Sequence, residues 1–268
     1  MEAGPGSVTA ADQGSATAAD PGSVMAAGPL DAPPIVFVHG TRLTGAMWAP
    51  QVEGLADEFR TIALDLPGHG SRATEPFTLA RAADALSATI RDHAGGRAVV
   101  VGLSLGGYVA MTLAAREPER VRGLVLAGAT AEPVGLRTLP FLALAAAMER
   151  FDGPRLDRLN RWFFTTRFPP AIADPIVAGG FWSIGGAGAL RAVVGERFAP
   201  RLAAYPGPCL IINGEYDLPF RLSAGRFAAA AVDARRVRLA GASHLSSLDR
   251  PLGFNAAVRG FARALDSA

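Results

Sequence analysis

The sequence predicts an α/β protein, a mostly parallel, doubly wound sheet with a helical cap insertion. Three observations carry this reading. Short β-branched runs alternate with amphipathic stretches from Pro34 to Ala127 and again after Pro208, the rhythm of parallel βαβ units. Between about residues 131 and 203 that rhythm stops, and aromatics sit among Pro and Gly. Residues able to do chemistry fall at the carboxyl ends of the predicted strands, where such sheets collect their sites.

Residues 1–32 are mostly Ala, Gly, Ser, Pro and Asp, with an imperfect repeat that begins at Gly6, Gly14 and Gly22. So few large apolar groups cannot offset the entropy of ordering, and the stretch reads as a disordered tail in which Met25 is an alternative initiator. The first core segment, 33–130, opens with Ile35-Val-Phe-Val38, a β-branched run bounded by Pro33-Pro34 and His39-Gly40. A helix over Ala46–Asp57 follows, then a strand over Thr61–Asp65 closed by the turn cluster Leu66-Pro-Gly-His-Gly70. Leu79, Ala82, Ala83, Leu86 and Ile90 share one face of a helix over Thr78–His93. The buried strand 98–103 leads into a helix from 105 to 116, and Val121–Ala127 is a further strand.

The insertion, 131–203, holds an apolar helix over Leu139–Met148 and the aromatics Trp162, Phe163, Phe168, Phe181 and Trp182, some of which are expected to line a pocket. The second core segment, 204–268, resumes with a strand over Pro208–Asn213, a helix from Pro219 to Ala230, a short strand over Arg236–Leu239 and a closing helix over Leu252–Ala264.

Composition narrows the function classes. All 26 basic residues are arginine, net charge is only +2, and the arginines are scattered, which argues against a nucleic-acid partner. The single Cys209 excludes an internal disulfide and a cysteine-based zinc site, and with no long apolar run and no signal-peptide layout the reading is a cytoplasmic protein with no membrane association. None of the four histidines reads as a metal ligand and no cofactor is implied; oligomeric state is left open, and the expected partner is a small-molecule substrate.

The chemistry centres on Gly102-Leu-Ser-Leu-Gly106, which places a serine on a sharp strand-to-helix turn with Gly at the crowded positions on either side. A hydroxyl needs a base to take its proton and a third group to orient that base. His244 and Asp217 each follow a strand, in the chain order Ser, Asp, His expected for an elbow serine; Glu215 and Asp249 are alternative acids. The amides of Leu105, at a helix N-terminus, and Thr41, after His39-Gly40, are candidate oxyanion donors. His39 is expected to hydrogen-bond behind that loop, His69 to belong to a tight turn, and Asp65 to brace the turn after it.

These motifs, in order and spacing over about residues 35–265, resemble the α/β-hydrolase superfamily, and Ser243–Asn255 resembles the segment after the catalytic histidine in enol-lactonases and related small carboxylic-ester hydrolases. The resemblance implies Ser104 as nucleophile, His244 as base and Asp217 as acid, in a cofactor-independent hydrolase of a small carboxylic ester, thioester or lactone. Carbon–carbon bond hydrolysis or a biosynthetic cyclisation or elimination on the same fold, and a non-catalytic ligand-binding role, are the alternatives. The sequence departs from the family pattern twice. No strand pattern stands in place of the usual first β-hairpin, so the sheet is expected to be short by two strands with Thr61–Asp65 near its edge. Thr41-Arg42 replaces apolar residues, and Arg42 is a candidate for holding a substrate carboxylate.

Overall fold

The computed structural model describes residues 24–266, so most of the repeat-bearing tail lies outside the described residues. Within them, seven strands form one sheet: β1 (Met25–Ala27), β2 (Pro34–Val38), β3 (Arg60–Leu64), β4 (Ala98–Leu103), β5 (Val121–Ala127), β6 (Pro208–Gly214) and β7 (Asp233–Leu239). Their order is β1-β3-β2-β4-β5-β6-β7; all neighbours pair in parallel except β1, which runs antiparallel to β3.

The strand β1 corrects the expected edge. Met25 pairs with Ala63 and Ala27 with Thr61, so Thr61–Asp65 is covered on its outer side, and residues 24–32, expected to be disordered, belong to the fold. Thr61 Oγ1 adds a bond to Ala27 O at 3.2 Å. Three residues joined mainly by backbone bonds need no alternating apolar pattern, which is why Met-Ala-Ala gave no strand signal. The opposite edge, β7, carries Arg235, Arg236 and Arg238, charges that discourage further strand pairing.

Helices cover both faces. The first is lined by α1 (Ala49–Leu55) and the C-terminal α12 (Pro251–Asp266), which close over Ile35, Phe37, Trp48, Val101 and Phe254. The second face holds α2 (Leu79–His93), whose N-cap Thr78 Oγ1 accepts from Arg81 N at 3.1 Å, and α3 (Leu105–Arg116). Every residue of α3 from Leu105 to Ala114 is buried, so this helix is apolar around most of its circumference and fixes whatever precedes it.

Between β5 and β6 no strand intervenes. The segment folds as α4 (Leu139–Phe151), α5 (Pro154–Arg167), α6 (Pro170–Gly179), α7 (Ser183–Val193) and α8 (Ala199–Ala204). The last of these packs on α3 and on the later α10 (Ala224–Ala230) and contributes Leu202 to the main core. Two short helices, α9 (Leu218–Arg221) and α11 (Ser246–Asp249), follow β6 and β7; the expected single helix 219–230 is thus broken at Leu222-Ser223. Among the described residues no single helix is long and apolar enough to cross a membrane.

Candidate active site

The end of β4 and the start of α3 hold Ser104 at φ 52° and ψ −114°, a left-handed conformation that a residue with a side chain adopts only under constraint. The constraint comes from both sides. Ser104 N donates to Ala127 O at 2.8 Å, and α3 lies so close to β2 that a Cβ on Gly106 would stand 2.1 Å from Val38 O, while one on Gly102 would stand 2.4 Å from Gly106. The two glycines are therefore required by close approach, and their absence of side chains lets the turn present Ser104 on a cavity wall.

That cavity has a volume of about 740 Å³ and its walls are mainly apolar. Ser104, His244, Thr41 and Arg42 line it together with Leu43, Phe141, Met148, Phe163, Phe164 and Phe220. His244, after β7, donates from Nδ1 to Asp217 Oδ2 at 3.1 Å, and Asp217, after β6, is 4 % exposed. Phe220 stacks on the His244 ring at a centroid distance of 4.7 Å and is held by Thr130 Oγ1, which donates to its carbonyl at 2.7 Å. Behind the pair, Gly128 at φ 53° leaves space that a Cβ would occupy at 2.9 Å from both Asp217 Oδ2 and His244 Nδ1. Ser104 Oγ makes no hydrogen bond among the described residues.

The alternative acids have other partners. Glu215 Oε2 accepts from Gly241 N at 2.8 Å, and Asp249 accepts from Ser243 N, Ser243 Oγ and Arg167. Both brace the loop that presents His244. The acid on the cavity wall, Glu132, is 2 % exposed and its Oε1 accepts from the amides of Phe198 and Ala199, at the start of α8.

A second set of bonds positions the loop after β2. His39 Nε2 accepts from Leu66 N at 2.9 Å, so its proton is on Nδ1 and donates to Gly40 O at 2.8 Å. His69 repeats the device: Nε2 accepts from Arg42 N at 3.3 Å and Nδ1 donates to Pro67 O at 3.0 Å. Burial lowers the His39 pKa, and burial together with the neighbouring His39 brings His69 down to about 3, so both rings are neutral acceptors at pH 7. Asp65 braces the turn as expected, accepting from Gly45 N, Ser71 N and Ser71 Oγ. The amides of Thr41 and Leu105 donate to no other group among the described residues.

Of the expected pocket aromatics, the structure brings only Phe163 to the cavity, with Arg42 beside it. Trp162 lies on the outer side of α5 and is 62 % exposed. Phe168 is buried against Phe164, centroids 5.9 Å apart. Trp182 donates to Gly179 O at 3.0 Å and lines separate cavities. Helical phase on α5 separates Trp162 from Phe163, a rotation that composition does not report. Gly128, Phe220 and Glu132 carried no motif of their own. No cluster of three or more His, Cys, Asp or Glu side chains that could hold a metal ion occurs among the described residues.

The alpha/beta hydrolase family model matches residues 35–257. The chain belongs to the alpha/beta hydrolase family. Within it, the chain is 31% identical over 248 residues to a pimeloyl-[acyl-carrier protein] methyl ester esterase of Chromobacterium violaceum, covering 88% of this chain and 95% of the relative. It is 27% identical over 251 residues to 3-oxoadipate enol-lactonase 1 of Acinetobacter baylyi, covering 89% and 91%. A solved thermophilic esterase from Thermogutta terrifontis superposes with a TM-score of 0.76 at 26% identity, over 91% of this chain and 93% of the other. The fold, the hydrolase class and the resemblance to esterases and enol-lactonases stated from the motifs all agree with these relatives, and this hydrolase is an enzyme of esterase-like activity.

Proposed function

We propose that this alpha/beta hydrolase cleaves a small carboxylic ester, thioester or lactone through a Ser104-His244-Asp217 triad and an acyl-enzyme. The observation that supports it most directly is the His244–Asp217 pair, bonded at 3.1 Å, on the same cavity as a serine held at φ 52°. Ser104 Oγ attacks the carbonyl while His244 Nε2 takes its proton, and Asp217 on Nδ1 fixes the tautomer and stabilises the imidazolium. The Leu105 and Thr41 amides receive the oxyanion; one such donor is worth about 2.7 to 4 kcal/mol of barrier. His244 then returns the proton to the leaving alcohol or thiol, and a water, deprotonated by the same imidazole, releases the acid. Serine–histidine bonds of this type are often loose in the free enzyme and tighten with substrate. The helices α4 to α7 act as a cap over this site in the same reading, and the protein is cytoplasmic and takes a small-molecule substrate without nucleic-acid or membrane partners.

The purified protein should turn over 4-nitrophenyl butyrate and Ser104→Ala should abolish that turnover while leaving the thermal transition in place. Turnover that survives the substitution would remove Ser104 from the mechanism.

A further inference from the structure

Arg42 is the feature of the cavity that ester cleavage alone does not require. It sits at φ 65°, the only residue other than Ser104 and the glycines with a positive φ among the described residues. Its backbone is held on both sides: the amide donates to His69 Nε2 at 3.3 Å, and its carbonyl accepts from Trp182 N at 2.9 Å. The side-chain stem is confined by α7, where a Cβ on Gly186 would stand 2.7 Å from Arg42 Cγ. An arginine that lines a mainly apolar cavity is normally paired with a carboxylate.

Here no carboxylate pairs with it among the described residues. Its one side-chain bond runs from Nη1 to Asn160 Oδ1 at 3.3 Å. Asn160 is 7 % exposed, and because Oδ1 faces the guanidinium, Nδ2 is left buried without an acceptor. Two donor groups from different elements, the loop after β2 and α5, thus meet with more N–H groups than acceptors, one of them charged and half-buried. Glu132, the acid on the same cavity wall, gives its Oε1 to the start of α8, and its buried Oε2 bonds neither Arg42 nor any other group among the described residues. Burial also lowers the Arg42 pKa from its usual value, the sign of a charge taken out of water without a counter-ion.

We propose that Arg42 forms an anion subsite of the Ser104 cavity, so that the preferred substrate carries a carboxylate in addition to the acyl group that Ser104 attacks. The proposal rests on the hydrolase reading above for the reaction, and on Arg42 alone for the carboxylate. A planar carboxylate matches the two-pronged guanidinium, and binding it supplies the counter-ion that the protein does not.

The test compares kcat/KM for monomethyl adipate with that for dimethyl adipate, in the wild type, Arg42→Gln and Arg42→Lys. The expected wild-type preference for the half-ester is about tenfold or more, the range of one charge-assisted hydrogen bond in a partly dry site. Arg42→Gln should bring the ratio close to one and Arg42→Lys should restore part of it. The ratio within one preparation is insensitive to a general loss of activity. A ratio near one in the wild type, or an unchanged ratio in Arg42→Gln, overturns the subsite. Calorimetric titration with glutarate, adipate and suberate, against adipamide as the neutral control, separates the two claims. If 4-nitrophenyl butyrate is not turned over but a diacid binds the wild type and not Arg42→Gln, the hydrolase reading fails and the subsite stands. If no diacid binds, or each binds both proteins equally, the subsite fails whatever the esterase activity.

Discussion

Acidification should destabilise this protein well above the carboxylate range, and His69→Gln should remove a defined part of that loss. The His69 ring is neutral in the fold, with a pKa of about 3 against 6.5 as its ordinary value, because it is buried and faces His39. Between those two pH values the unfolded chain binds a proton that the folded one does not, so stability is full above about pH 6.5 and falls as pH drops towards 3. One pH unit in that window is worth about 1.4 kcal/mol, so lowering pH from 7 to 5 costs about 2 kcal/mol through His69. His39, lowered in the same direction by burial, adds a loss of the same sign. Gln at position 69 offers an acceptor oxygen near Nε2 and does not titrate. Urea midpoints at pH 7, 6 and 5, converted with a common m-value, should show the gap between wild type and His69→Gln narrowing by about 2 kcal/mol at pH 5. Parallel stability curves for the two proteins over that range would refute the assignment of a neutral, accepting His69.

Other expectations concern the site and its supports. Asp217→Asn should lower kcat for 4-nitrophenyl butyrate by about 10³- to 10⁴-fold, as loss of the orienting acid does in serine hydrolases generally, whereas Glu215→Gln, whose carboxylate only accepts from Gly241 N, should cost stability and far less rate. Gly128→Ala should fold but lose kcat by about tenfold or more, measured with the same ester, since its Cβ would press on both members of the His244–Asp217 pair. Gly106→Ala should fail to accumulate as soluble protein or melt far below wild type, because nothing flexible separates its Cβ from Val38 O. The Cys209 thiol, pushed up to about 12 by burial in β6, should not react with a thiol-specific chromogen until denaturant is added.

The order of the elements and the polar residues at strand ends were legible in the chain because both are local. A β-branched run, a Gly-x-Ser-x-Gly turn and an Asp or His a few residues past a strand are written in consecutive letters, and a parallel sheet brings their ends together by construction. The choice of Asp217 over Glu215 and Asp249 rested on family resemblance. In the fold the three acids separate by partner, with Asp217 against His244, Glu215 against Gly241 and Asp249 against Ser243 and Arg167.

What only the tertiary structure decided depends on contacts between distant segments. The edge strand Met25–Ala27 exists through pairing with β3 and carries no pattern of its own. Phe163 faces the cavity while Trp162, one residue earlier, faces outward, since the phase of α5 is set by its packing. Gly128 and Phe220 gain their positions against His244 from strand and loop geometry far from it in sequence. The sequence offers Arg42 as a candidate for holding a carboxylate; only the approach of α5 and α7 takes its guanidinium out of water beside Asn160 without an acid to meet it. Local patterning determined the sheet and the candidate reacting groups, and long-range packing determined the walls of the cavity, because side-chain surroundings are a property of neighbours that the chain order does not name.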